Sequence, residues 1–260
     1  MKQQLLATVL VFASAPAFAA GPEAGKFSFS LFGGVDAPAS GDVHGGAIAP
    51  VPDLGPLNPA LAGVSAELRI ESRKHDRIYD LAEGLGLELG YGLSDRSELF
   101  GQVRYTRADQ GRVQVGGAFV PALNTTLPVY GTFGEYKSLS AEVGYRYFFM
   151  DPGHARPYVA ARLGATQTDD IAATFEIPDA GITINDAPFY KKAWKGSAGL
   201  DLGVVVPISE RVQFRAETGV RYVDDLDGDD SAIGGLGLAS INDTGSRVSV
   251  PVSVGLRVDF

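Results

Sequence analysis

Three histidines and a few carboxylate clusters are the residues of this chain best equipped for catalysis or metal binding. His44 and His75 fall in one long Gly/Pro-containing stretch, and His154 falls in a short turn. His75 and Asp76 could form a general base and its orienting carboxylate, with Asp224 and Asp225 elsewhere to assist. General-base work needs such groups within hydrogen-bond reach of a substrate proton, and no spacing here supplies that. A histidine in a charged loop is expected to be solvated, so no catalytic residue is assigned. The run Asp224-Asp225-Leu226-Asp227-Gly228-Asp229-Asp230 gathers oxygen ligands of the kind Ca²⁺ prefers. It lacks the Gly and Glu spacing of a calcium loop, so a solvated acidic loop and no metal are expected. Gly33-Gly34, Gly116-Gly117 and Gly234-Gly235-Leu236-Gly237 could suggest phosphate loops, but none opens a helix after a parallel strand. They are read as flexible loop. The chain has no cysteine, which excludes a thiolate nucleophile, a thiolate metal site and a disulfide. No cofactor is expected.

A larger set of charges is organised by parity rather than by motif. Glu88, Arg104, Glu142, Arg146, Arg162, Asp201, Arg215, Glu217, Arg221 and Arg257 each lie on the polar side of an alternating segment. Alternation of apolar and polar residues with a period of two defines a strand with two unlike faces. Eight such segments are legible. Phe27, Phe29 and Leu31 open the first, which is expected to end near Val35. Leu85 to Leu93 carry the second, Leu99 to Tyr105 the third, and Leu139 to Phe149 the fourth. Val159 to Ala165, Trp194 to Val206, Val212 to Tyr222 and Val248 to Phe260 complete the set. Asp36 to Pro59 is so rich in Gly and Pro that it is read as irregular. Val64 to Glu71 and Arg112 to Phe119 also alternate. They are either hairpin extensions above a membrane or two extra spans, giving ten strands in place of eight.

The chain ends suggest where such strands reside. Met1 and Lys2, an apolar Leu5–Phe12 core and Ala17-Phe18-Ala19 form the pattern of a cleaved secretory leader, residues 1–19. The expected mature chain, 20–260, is one domain. Loss of Lys2 with the leader takes the net charge from −9 to −10. Such an acidic chain has no basic stripe for phosphates, which argues against nucleic acid as a partner. No run after residue 20 reaches the 18 or so apolar residues of a membrane helix. A strand crosses a bilayer in about 11 residues, but only a closed barrel satisfies every backbone N–H and C=O.

Turns after the second, fourth and sixth strands are short, whereas the other connections run to roughly 20–45 residues, the asymmetry of periplasmic turns and external loops. Tyr105, Tyr136, Trp194 and Tyr222 are expected at the outer interface, and Phe27, Tyr91, Tyr147, Phe149 and Phe260 at the inner one. An Arg facing lipid near the midplane costs about 2–4 kcal/mol, so the single parity of the ten charges predicts a lumen. Eight strands leave an interior just wide enough for side chains to fill. The ten charges are therefore expected to pair as a plug, with a conducting path as the alternative.

The pattern of strands and loops, the Gly144-Tyr145-Arg146-Tyr147-Phe148-Phe149 strand end and the last residues together resemble small eight-stranded outer-membrane barrels of the OmpA-like transmembrane or opacity-like class. The resemblance covers residues 26–260, without a periplasmic peptidoglycan-binding domain. The ending Ser253-x-Gly255-x-x-Val258-x-Phe260 resembles the insertion signal of such barrels. The resemblance implies an all-β antiparallel transmembrane barrel in a Gram-negative outer membrane. It implies as partners the barrel-assembly machinery, membrane lipid and lipopolysaccharide, with a surface ligand engaged by the loops. A structural or surface-interaction role is expected, with a narrow passive pore as the alternative and an outer-leaflet lipid-modifying enzyme as the second.

Overall fold

The structure, a computed structural model, describes residues 20–151, 155–239 and 241–260. The expected leader and His154 lie outside the described residues. Eight antiparallel strands close into a barrel: β1 (Phe27–Ser40), β2 (Ala82–Ser94), β3 (Ser97–Ala108), β4 (Tyr136–Phe148), β5 (Arg156–Thr168), β6 (Ala193–Pro207), β7 (Val212–Val223) and β8 (Arg247–Asp259). Sequence neighbours are spatial neighbours, and β1 pairs with β8 from Ser28↔Asp259 to Ser40↔Val248, which closes the ring. Closure leaves no barrel edge with unpaired backbone groups.

The barrel is inside out relative to a soluble protein. Leu200 is 68% exposed and Arg146 is 0% exposed, a distribution that water would penalise at both residues. Only a surrounding apolar solvent favours it, so the barrel spans a membrane. Apart from Thr218 and Gln167, the outward parity stays apolar until Glu83, Arg107 and Lys137, which are lateral neighbours in the sheet and mark the external edge of the lipid belt. No described helix is long and apolar enough to cross a membrane. Eight spans, not ten, cross the bilayer.

Tyr105, Trp194 and Tyr222 are exposed at the outer rim, and Phe27, Tyr91, Tyr147, Phe149 and Phe260 at the inner one. Tyr136 departs from the expectation. It shares the inward parity of Ser138 and faces the mouth of the lumen, where the Arg247 guanidinium lies 5.2 Å from its ring centroid. Trp194 is the sole tryptophan and is half exposed to lipid at the outer rim. Its fluorescence should be quenched by lipids brominated near the headgroup and hardly at all by lipids brominated at the chain ends. Equal quenching at both depths would place Trp194 away from the outer edge of the lipid belt.

The external loops are not irregular. Strands from all four build a second, seven-stranded sheet. Its order is 227–228, 182–191, 171–177, 125–133, 111–120, 66–70 and 47–51. The segments Ala66–Ile70 and Gly111–Val120 pair here, above the barrel. The reading of Asp36–Pro59 as irregular is therefore corrected: β1 runs to Ser40, and Asp42–His44 and Ala47–Val51 are strands. Pro50 is tolerated because Ala47–Val51 is the sheet's edge, where a missing N–H removes no ladder bond. Gly33-Gly34 lies inside β1 and Gly116-Gly117 inside a loop strand, so neither is flexible loop. A Cβ on Gly116 would stand 2.1 Å from the Arg69 carbonyl oxygen, so that glycine permits a close backbone approach. The sheet buries its own core, including Leu54, Leu68, Val115, Phe133, Ile177 and Phe189.

Candidate functional site

All ten charges singled out by parity are inside the barrel, each no more than 8% exposed. A narrow lumen can hold them because several of the large side chains face glycine on a neighbouring strand. Arg162 stands between Gly144 and Gly199, Glu142 stands opposite Gly164, Glu217 opposite Gly203 and Arg215 opposite Gly255. Inward aromatic rings use the same device: Phe32 lies over Gly86, Phe100 over Gly144 and Tyr158 over Gly203. The abundance of glycine in the strands follows from this packing.

Nine of the ten charges, with Glu98, form one continuous network, and Arg104 pairs separately with Asp36. Arg146 donates to Glu88 at 2.9 Å and to Glu98, and lies 3.7 Å from Glu217. Arg215 donates to Glu88 at 2.6 Å, and Arg257 donates to Glu98 at 2.6 Å and to Asp259 at 2.8 Å. Arg162 donates to Asp201 at 2.8 Å and to Glu217 at 2.7 Å, and Arg221 donates to Asp201 at 2.7 Å. Glu142 accepts from Gln102 at 2.6 Å and Ser197 at 3.1 Å. Arg104 donates to Asp36 at 2.8 Å, nearer the external mouth. Arg146 also stacks between the Phe100 and Tyr158 rings, 4.5 and 4.7 Å from their centroids. Opposite charges this deeply buried are stable only when each has a partner and its remaining donors are used, which this arrangement largely achieves.

Sequence reasoning missed part of this set. Glu98 has the right parity and is not among the ten charges, although it is the direct cross-strand partner of Arg146. Arg156 opens β5 and precedes Pro157, so no alternation marks it. Its guanidinium donates to the carbonyls of Ala20, Asp95 and Met150 at 2.7, 2.6 and 2.9 Å. It thereby ties the N-terminal segment, the turn between Ser94 and Ser97 and the chain just after β4 across the inner mouth. At the other end, the one-turn helix His75–Ile78 and Tyr79 border the upper lumen.

The two described histidines are not solvated, contrary to the sequence expectation. His44 stacks on Phe133 inside the external sheet, with Nδ1 3.0 Å from the Gly45 carbonyl oxygen. His75 is 7% exposed, stacks on Tyr79 and makes no hydrogen bond at Nε2. Among the described residues no histidine contacts a carboxylate, and no cluster of three metal-ligating side chains forms. Burial, with the Arg247 charge nearby, pushes the His75 pKa down to about 3. The unfolded chain therefore binds a proton here that the folded chain does not, so this histidine weakens the fold as pH falls from about 6.5 toward 3. Over that window His75→Gln should lose less stability than the unsubstituted protein, as read by unfolding midpoints at each pH. Parallel pH profiles would contradict the buried neutral state.

Ser253, Gly255, Val258 and Phe260 belong to the closing strand, paired on one side with β1 and on the other with β7. The Phe260 amide donates to the Phe27 carbonyl at 2.9 Å, while its ring faces outward.

An apolar belt, a filled lumen and antiparallel closure over eight strands define an outer-membrane β-barrel. Similar folds are Neisserial surface protein A, Ail of Yersinia pestis and OprG of Pseudomonas aeruginosa. The first is 15% identical over 91% of this chain and 98% of that one, with a TM-score of 0.42. Ail is 15% identical over 92% and 100%, at 0.40, and OprG 20% identical over 92% and 98%, at 0.38. No family model and no curated protein sequence matches the chain.

Proposed function

We propose that this protein is a non-catalytic envelope barrel whose closed lumen anchors a folded external sheet, and that the sheet is the surface presented to ligands outside the cell. The observation that carries this reading is the division of labour in the molecule. The lumen is occupied from Arg156 upward by paired charges and aromatic rings, while the four external loops share one sheet with its own hydrophobic core. An anchor needs a rigid closed barrel; a ligand-presenting surface needs loops held in one shape. The enzyme alternative would need a base, an orienting group and a pocket together, and the two described histidines are each buried away from any carboxylate partner. The narrow-pore alternative is tested directly: the refolded protein in a planar bilayer should show no discrete current steps. Steady unitary conductance would replace the anchor reading with the pore.

The alternating closing strand, with Ser253, Gly255, Val258 and Phe260, supports recognition by the barrel-assembly machinery during insertion. Phe260→Ala should slow assembly in cells several-fold, read by the rate at which protease-resistant barrel appears. The barrel is expected to retain its stability once folded, because the ring lies outside the packed lumen. Unchanged assembly kinetics would remove the role assigned to this residue. Lipid surrounds the belt, and the acidic segment Asp224–Asp230 is suited to bridging lipopolysaccharide through divalent cations.

A further inference from the structure

Between the charge network and the external sheet lies a chamber of about 100 Å³. Arg104, Arg221, Arg247, His75, Tyr79 and Tyr136 are among the residues that line it. Three carboxylates also face it: Asp36, Asp80 and Glu142. Asp36 is taken by Arg104, Glu142 accepts from Gln102 and Ser197, and Asp80 is exposed. Arg221 is taken by Asp201. Arg247 is different. It is 8% exposed, and no carboxylate of the described residues lies within salt-bridge distance of it. Its guanidinium reaches only Thr168 Oγ1, at 3.4 Å, and the Tyr136 ring. The Nε atoms of Arg247 and Arg104 and the Nε2 of His75 are all buried without a hydrogen-bond partner.

A buried, uncompensated guanidinium is costly, and the remedy is a negative charge that uses its donors. We propose that this chamber binds a small oxyanion, with Arg247 as its principal ligand and Arg104 beside it on the chamber wall. The volume sets the size: about three waters, or one tetrahedral phosphate or sulfate, or a short carboxylate. The barrel wall separates the chamber from lipid, so the ligand is a free ion rather than a headgroup. His75 and Tyr79 close the external side of the chamber. This site is independent of any partner of the external sheet.

The test is to refold the full-length mature protein into lipid nanodiscs in inorganic phosphate, sulfate or acetate, each matched in ionic strength to chloride. The thermal midpoint should rise saturably with at least one of these oxyanions relative to chloride. Arg247→Gln should weaken the apparent affinity at least about tenfold, the loss of one charge-assisted contact. Arg112→Gln, on the exposed face of the external sheet, should leave it unchanged. No preference over chloride in the unsubstituted protein, or equal loss in Arg112→Gln, overturns the site. Should Arg247→Gln fail to fold, ³¹P line broadening of phosphate by the unsubstituted protein, with sulfate and acetate as competitors, decides the matter alone. Absence of both broadening and oxyanion-specific stabilisation means that the chamber holds only water.

Discussion

Arg146→Ala is expected to destabilise the barrel by about 3–5 kcal/mol and to open a leak in a lumen that is otherwise silent. Arg146 is fully buried at the centre of the network and lies against Glu88, Glu98 and Glu217. Each of those carboxylates keeps at least one cation when Arg146 goes: Arg215 for Glu88, Arg257 for Glu98, and Arg162 with Arg215 for Glu217. The barrel should therefore fold, with one further unbalanced negative charge and a void where the guanidinium stood. The void has room for roughly two or three waters, and a polar void of that size fills. Water there would connect the middle of the lumen to the chamber near Arg104 and Arg221, leaving the Arg156 clamp as the last barrier. Brief, irregular openings in a planar bilayer are the expected signature, with a lowered unfolding midpoint. Arg146→Lys separates charge from shape, because a lysine keeps the charge but cannot reproduce the forked contact with Glu88. It should recover part of the stability and most of the seal. Unchanged stability in Arg146→Ala would show that the network is not what holds the lumen closed.

What the sequence revealed and what it hid follow from the same rule. Parity places a side chain on one face of a strand, and the ten interior charges were legible because alternation persists through every span. Parity says nothing about which partner stands opposite, so the pairing of Arg146 with Glu98 needed the register between β3 and β4. Tyr136 shows the cost of reading position along a strand without parity: it lies at the outer end but shares the inward face of Ser138. The external sheet was legible only in part: Val64 to Glu71 and Arg112 to Phe119 alternate, but the composition of the other segments hid them. Pro50 and Gly116-Gly117 are breakers in a lone segment, yet an edge strand tolerates the first and a close strand approach requires Gly116. Its strands come from four separate loops, and only the closed barrel brings those loops to one end. The burial of His44 and His75 depends on that assembly, and their neighbours in sequence do not reveal it.

Phe189→Ala should produce the opposite phenotype to Arg146→Ala: a loosened external sheet on an intact barrel. Phe189 is fully buried on the strand Ile182–Lys191. Its ring lies 5.3 Å from Phe133, 6.0 Å from Phe175 and 5.1 Å from Tyr190, with His44 at its edge. Truncating a buried phenylalanine costs about 3–5 kcal/mol, because the transfer energy is lost and a cavity remains. That is a large share of the roughly 5–15 kcal/mol that holds a typical domain together. The backbone around Phe189 adds to the effect, since its carbonyl accepts from Asn242 at 2.7 Å and Asp229 at 2.9 Å, tying the fourth loop to the third. None of these contacts reaches the lumen network, and the barrel's own ladders are closed without them. Trypsin should therefore cut Phe189→Ala at loop residues such as Arg69, Arg73, Arg112 or Lys191, while the β8 end and the other spans stay protected. The barrel's high-temperature transition should remain, preceded by a new, earlier one. A single merged transition at lower temperature would mean that sheet and barrel fold as one unit, and the anchor would then be inseparable from the surface it carries. Two separable transitions would let the surface be altered while the membrane span is kept, the property that an interaction platform requires.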